Sequence, residues 1–90
     1  MKSREFDWDD EKSNHCLEER GFDFAYAAQI FFSDVFEKID SRYDYGEQRI
    51  QAVGFIDETP YLVVYTIRSG VTRIISARRM HKKEWRKWLK

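Results

Sequence analysis

The spacing of apolar positions changes along this chain, and each change marks a different kind of element. Phe6 to Trp8 form a short aromatic run, followed by Asp9, Asp10 and Glu11. Asp9 is placed to cap a polar helix whose first-turn acids oppose the positive end of its dipole, with Gly21 as a left-handed stop after Arg20. Asp23 is a second cap. After it Phe24, Ala27, Ala28, Phe31 and Val35 recur at helical spacing, an amphipathic stripe that must lie against something. Asp40 to Gly46 is polar and turn-like. Beyond it the period shortens. Arg49 to Ile56, Tyr61 to Ile67 and Val71 to Ala77 read as strands, the middle one nearly all β-branched and aromatic. Asp57 to Pro60 and Ser69–Gly70 are the turns between them, so an antiparallel meander is expected. From Met80 the pattern returns to helix, with His81, Trp85, Trp88 and Leu89 on one side and Lys82, Lys83, Arg86 and Lys87 on the rest. The expected fold class is α+β in one domain over residues 1–90: two N-terminal helices, an antiparallel sheet of three to four strands, and a C-terminal helix. Short extra strands fit at Phe6 and at Val35 to Asp40.

Composition narrows the setting. Apolar residues are 42% of the 90 and aromatics 17%, enough for a core, so the 36% charged content does not mean disorder. A single cysteine excludes a disulfide framework and fits a reducing compartment. No apolar run approaches the roughly 18 residues of a membrane span. The acidic start of the chain lacks the apolar segment of a signal peptide. A soluble cytoplasmic domain, with no membrane partner, is expected.

The balance of 16 basic and 16 acidic residues hides a segregation. From Arg68 to Lys90 nine basic residues face one acid, Glu84, a net +8 that leaves −8 on the rest. Charge divided in this way points to a polyanion partner for the basic end. The plainer alternative is that the acidic part packs against the basic part and neutralises it.

The arginines are grouped. With Ser69–Gly70 as a two-residue loop, Arg68 pairs with Val71 and Arg73 opposes Thr66; strict alternation then sends Arg73 and Arg79 to one face and Arg78 to the other. Guanidinium groups bind phosphate bidentately and stay charged at neutral pH. Tyr43, Tyr45 and Tyr65 are candidate stacking surfaces for single-stranded RNA. Against this, Arg73 sits mid-strand among apolar neighbours, where a tie to an acid of the first helix is the simpler role. Glu47 and Arg49 share a face by alternation. Glu47 is either a proton acceptor for a ribose 2′-hydroxyl or a strut that orients an arginine. His81 falls on the tryptophan stripe and reads as a packed or capping histidine rather than an acid–base group. His15 and Cys16 adjoin in sequence but do not face each other, so no zinc site is expected, and Cys16 reads as a small apolar residue. No Gly-rich phosphate loop, HExxH or serine elbow is present. Chemistry on phosphodiesters without a cofactor or metal remains.

Several strings together resemble the BrnT toxin family: F-D-W-D-x-x-K from Phe6 to Lys12, R-G-F-D-F-x-x-A from Arg20 to Ala27, D-Y-G-E-x-R from Asp44 to Arg49, V-V-Y-T-x-R from Val63 to Arg68, and R-I-I-S-A-R-R from Arg73 to Arg79. The last, followed by a basic helix with Glu84, is the most specific. The resemblance implies a RelE-like fold and a metal-independent endoribonuclease toxin of a type II toxin–antitoxin pair, which halts translation by cutting RNA. It further implies a BrnA-like antitoxin as partner, in a heterotetramer of two toxins and two antitoxins that meets operator DNA only through the antitoxin. A non-catalytic RNA-binding or antitoxin-partner subunit is the rival reading.

The family pattern falls on Trp8, Lys12, Glu47, Arg49, Arg68, Arg73, Arg78, Arg79 and Glu84. The expected catalytic set is Arg78 and Arg79 as the phosphate clamp, Arg49 and Arg68 as positioning groups and Glu47 as base. Lys12, Arg73, Lys82, Lys83 and Arg86 are expected to bind RNA. The chain departs from the family at Cys16, usually Asn, at Glu19–Arg20–Gly21, usually Lys-His-Gly, at Met80–His81, often Ala-Thr, and at Trp88, often Tyr. His81 therefore inherits no role.

Overall fold

A computed structural model describes residues 4–42 and 44–89. The chain runs β1 (Phe6–Trp8), α1 (Asp10–Arg20), α2 (Phe24–Ala27), a 3₁₀ segment (Ala28–Phe32), β2 (Phe36–Asp40), β3 (Arg49–Ile56), β4 (Thr59–Arg68), β5 (Val71–Arg79) and α3 (Lys82–Trp88). The local signals act as their chemistry requires. The Asp9 carboxylate accepts from the Lys12 N–H at 3.1 Å, and Gly21, at φ 81°, ends α1 with its N–H on the Leu17 carbonyl. Asp23 accepts from the Tyr26 N–H at 2.9 Å.

The second helix is shorter than its stripe. It tightens to 3₁₀ geometry at Ala28, and Val35 lies beyond it. The cause is close contact with the sheet. A Cβ on Gly54 of β3 would stand 2.7 Å from the Ile30 Cβ, so the 3₁₀ segment lies almost directly on the strand backbone.

The sheet has five strands in the order β1-β5-β4-β3-β2, rather than three or four, and it is mixed: β1 runs parallel to β5 while the other pairs are antiparallel. β1 and β2 are the short extra strands that fit at Phe6 and at Val35 to Asp40, though three residues carry too little pattern to say which strand β1 joins or in which direction. What holds β1 is its pairing of Phe6, Asp7 and Trp8 with Thr72, Arg73 and Ile74, with the Thr72 N–H on the Glu5 carbonyl at 2.9 Å. The β3–β4 turn is confined to Asp57–Glu58, both at positive φ, as are Ser69 and Gly70 in the next hairpin. Thr59 and Pro60 thus belong to β4, where a proline is tolerated at the strand's start, and the Pro60 carbonyl accepts from the Met80 N–H. The Arg68–Val71 and Thr66–Arg73 pairings are as expected.

The expected division of the arginines fails. Tyr65 pairs with Ile74 but Val64 pairs with Ser76, so Ile75 is an extra residue on β5. This bulge inverts the parity of everything after it. Arg73, opposite Thr66, and Arg78, opposite Leu62, share one face, and Arg79, opposite Tyr61, takes the other.

The two faces are covered unequally. On the first, Cys16, Phe22, Phe24, Ala27, Ala28 and Ile30 pack on Ala52, Ile56, Tyr61, Val63, Tyr65, Ile74 and Ala77. On the second, Trp85 and Trp88 of α3 pack on Val53, Leu62 and Met80, with Phe36 and Phe55 edge-on to Trp85 at 5.1 Å each. His81 is not packed on that stripe: it is exposed, stands at the N-cap position of α3, and makes no capping bond with its side chain. Leu89 is also exposed. Beyond α3 no helix covers the second face among the described residues, though Val64 and Thr66 of β4 are buried there. Among the described residues no helix is long and apolar enough to cross a membrane.

Candidate functional site

β1 stops opposite Ile74, so β5 from Ile75 to Arg79 has no strand on its outer side. α1 lies along this edge instead. The Ala77 carbonyl accepts from Arg20 Nη1 at 3.2 Å and from Cys16 Sγ at 3.6 Å. Arg79 comes from the helical face, its guanidinium 5.5 Å from the centre of the Phe22 ring and its Nη2 donating to the Arg20 carbonyl at 3.4 Å. Arg78 comes from the opposite face and donates from both terminal nitrogens to Glu84, with Nη1–Oε1 at 2.8 Å. Glu84, third residue of α3, also accepts from the His81 backbone N–H, half of a capping box. Hydrogen bonding with Arg78 holds the Glu84 carboxyl below the usual range and raises Arg78 further.

A fourth guanidinium completes the group. Arg42 donates from Nε at 2.8 Å and Nη2 at 2.9 Å to Asp40, whose carboxylate is fully buried. These bonds outweigh burial and depress the Asp40 pKa to about 2. Arg20, Arg42 and Arg78 line a groove of about 210 Å³ with Ser76; Arg20, Arg78 and Arg79 line a second of about 380 Å³ with Glu19 and Phe22. The grooves meet at Arg20 and Arg78. Among the described residues Arg20 and Arg79 make no ion pair, so their charge is not neutralised at contact. The arrangement is suited to an oxyanion with several non-bridging oxygens.

The remaining site residues named from sequence lie elsewhere. Glu47 is a strut between Arg49, at 3.3 Å, and Arg68, at 3.1 Å, and those bonds, Arg68's first, lower its pKa. Arg49 also rests 3.8 Å from the centre of the Tyr45 ring. Arg68 is six positions along β4 from Leu62, the partner of Arg78, which at about 3.4 Å per residue separates the clusters by roughly 20 Å. Arg73 is tied to an acid, but to Asp7 of β1 at 2.6 Å rather than to one of the first helix, because β1 pairs directly with β5. Two arginines of the basic segment are thus met by acids from the acidic part, while Lys82, Lys83 and Arg86 are exposed on α3 without ion pairs among the described residues. Lys12 is exposed on α1. Tyr65 is not a stacking surface. It is buried and donates to Glu37, its hydroxyl pushed up to about 12, chiefly by burial. Tyr43 lies outside the described residues. Cys16 is buried, which raises its thiol pKa. Among the described residues no group of three or more His, Cys, Asp or Glu is placed to hold a metal.

A family model described as "Ribonuclease toxin, BrnT, of type II toxin-antitoxin system" matches residues 8–84. The chain belongs to the BrnT family. No curated protein matches it. Membership makes this BrnT chain a ribonuclease toxin of a type II system and implies an antitoxin partner. The matched span contains Arg20, Arg42, Arg78, Arg79 and Glu84, and so the whole edge groove.

Two members of that groove in this BrnT chain, Arg20 and Arg42, are not evident from sequence. Arg20 stands in the last turn of a capped helix, where a basic residue already has a reason to be. Arg42 belongs to no periodic element. Its one signal is the two-residue spacing from Asp40 in a polar turn, which permits a local ion pair.

Proposed function

We propose that this chain cuts RNA at the free edge of β5, without a metal, by attack of a ribose 2′-oxygen on the adjacent phosphate. Arg78 and Arg79 grip the scissile phosphate from the two sides of the strand, and Arg20 and Arg42 extend the grip. As the 2′-oxygen adds, negative charge grows on the phosphoryl oxygens, and guanidinium groups already fixed in place stabilise it more than they stabilise the ground state. Phosphate and Glu84 compete for Arg78. Glu47, Arg49 and Arg68 act at a distance, positioning a strand that crosses the second face, and Lys12, Arg73, Lys82, Lys83 and Arg86 hold its backbone. The observation that carries this reading is the pair Arg20 and Arg79, two guanidinium groups at the β5 edge that make no ion pair among the described residues.

In the cell the activity halts translation in the cytoplasm. A BrnA-like antitoxin neutralises it in a complex of two toxins and two antitoxins, and that complex meets operator DNA through the antitoxin alone. The test is to induce the chain alone and then with its operon neighbour, following growth and RNA integrity, and to incubate purified chain with RNA in excess chelator. Growth arrest, rescue by the neighbour and chelator-resistant cleavage are expected. Intact RNA in every arm overturns the cleavage reading and leaves a non-catalytic binding subunit.

A further inference from the structure

α1 presents another groove to the same edge. Lys12, His15 and Arg20 line it with Ser76 of β5, over about 390 Å³, within the roughly 300–1,000 Å³ of small-molecule sites. Arg20 and Ser76 also line the groove that holds Arg42 and Arg78. The two therefore adjoin at Arg20 and Ser76 on the edge of β5. On the arginine side Asp40 is buried and doubly bonded to Arg42, and Glu84 is bonded to Arg78, which leaves Glu19, a carboxylate and so by type a weaker base than imidazole. Glu47 belongs to the distant cluster. His15 is exposed on α1 and makes no ion pair among the described residues.

We infer that the α1 groove is the second half of the cleavage site and that His15 is its proton acceptor, an inference resting on the ribonuclease reading above. The imidazole takes the proton of the ribose 2′-hydroxyl. The 2′-oxygen bonds to phosphorus and the bond from phosphorus to the 5′-oxygen breaks. The 5′-oxygen takes a proton from water, and the resulting hydroxide is neutralised by the imidazolium proton. The products are a 2′,3′-cyclic phosphate and a 5′-hydroxyl. Imidazole is the side chain whose ordinary range suits this exchange near neutrality. The groups around it are Glu11, Lys12, Cys16 and Arg20 of α1, and β5 contributes only Ile75 and Ser76, which do not titrate.

The experiment compares wild type with His15→Gln on a single-stranded RNA oligonucleotide, measuring kcat and KM from pH 5 to 9. It also measures binding of the same sequence carrying 2′-deoxyribose. His15→Gln is expected to lower kcat by about 10²–10⁴, to abolish the acid limb of the pH profile, and to leave KM and deoxy-oligonucleotide binding within about twofold. A variant with wild-type kcat and pH profile overturns the inference while the ribonuclease reading stands, and one that changes only KM makes His15 a binding contact and overturns it too. If wild type cuts no RNA, both fall.

Discussion

Replacing Arg20 separates the edge groove from every other basic surface of the protein. Its Nη1 donates to one neutral carbonyl, that of Ala77, which also accepts from Cys16 Sγ, and the arginine itself is exposed. A single hydrogen bond at such a position is worth about 1 kcal/mol or less to stability. A clamp of fixed donors behaves differently, because each aims charge where the transition state develops it, and losing one typically costs roughly 10²–10³ in rate, or about 2.7–4 kcal/mol. Arg20→Ala is therefore expected to melt no more than roughly 4–8 °C below wild type, the shift that about 1 kcal/mol gives in a domain this size, yet to lose at least a hundredfold in kcat. Arg20→Lys keeps the charge but not the fork, and should recover only part of the loss. Arg73→Ala is the control, as Arg73 is held by Asp7 away from the groove. It should weaken RNA binding and flatten the salt dependence by about 0.7 per lost single-strand contact, with kcat little changed. The assay is steady-state cleavage of a fluorescent RNA beside a thermal melt. An Arg20→Ala protein that folds and cleaves within threefold of wild type refutes the placement of the site.

Other consequences follow from single contacts. Glu84→Gln removes the anion that competes with phosphate for Arg78, so KM for RNA should fall several-fold, while stability changes by under about 1 kcal/mol because the pair is partly exposed; a raised KM argues against that competition. Asp40 has a folded pKa of about 2, below its ordinary value near 3.9. Its contribution to stability is complete above about pH 4 and is lost as the pH falls towards 2, so Asp40→Asn should flatten acid unfolding in that window, as read by circular dichroism. Gly54→Ala places a methyl 2.7 Å from the Ile30 Cβ and 3.2 Å from both the Ile30 carbonyl oxygen and Val35 Cγ1. Overpacking there should cost about 1–3 kcal/mol in denaturant unfolding.

Elements that close on themselves are legible in the chain alone. α1 carries its start at Asp9 and its stop at Gly21, and the Ser69–Gly70 turn fixes the register of its hairpin, because each signal acts within a few residues of itself. The bulge at Ile75 was not legible. Every residue of R-I-I-S-A suits a strand, so nothing in their types says that one is unpaired, and that single insertion reverses which face Arg78 and Arg79 take. β1 depends on a partner more than sixty residues away. For the site, the sequence placed arginines near β5 but could not say that Glu47, Arg49 and Arg68 form a cluster of their own. That separation is set by the length of β4, and a list of charged residues carries no length.

The shortness of β1 bears on the site as much as any arginine does. Adjacent residues of a strand point to opposite faces, so in the interior of a sheet Arg78 and Arg79 would be divided by its thickness and could not share a ligand. At an edge that division disappears, because both side chains can turn outward around the unpaired backbone. β1 leaves such an edge by ending opposite Ile74, and the unmet Ala77 carbonyl then draws in Arg20 from α1. A β1 running on to pair with Ala77 would satisfy that carbonyl from its own backbone, displace Arg20, and put a strand between Arg79 and Arg78. An edge left open by a three-residue strand would ordinarily invite pairing with another chain. Here three guanidinium groups line it, which discourages a second strand and favours a phosphate.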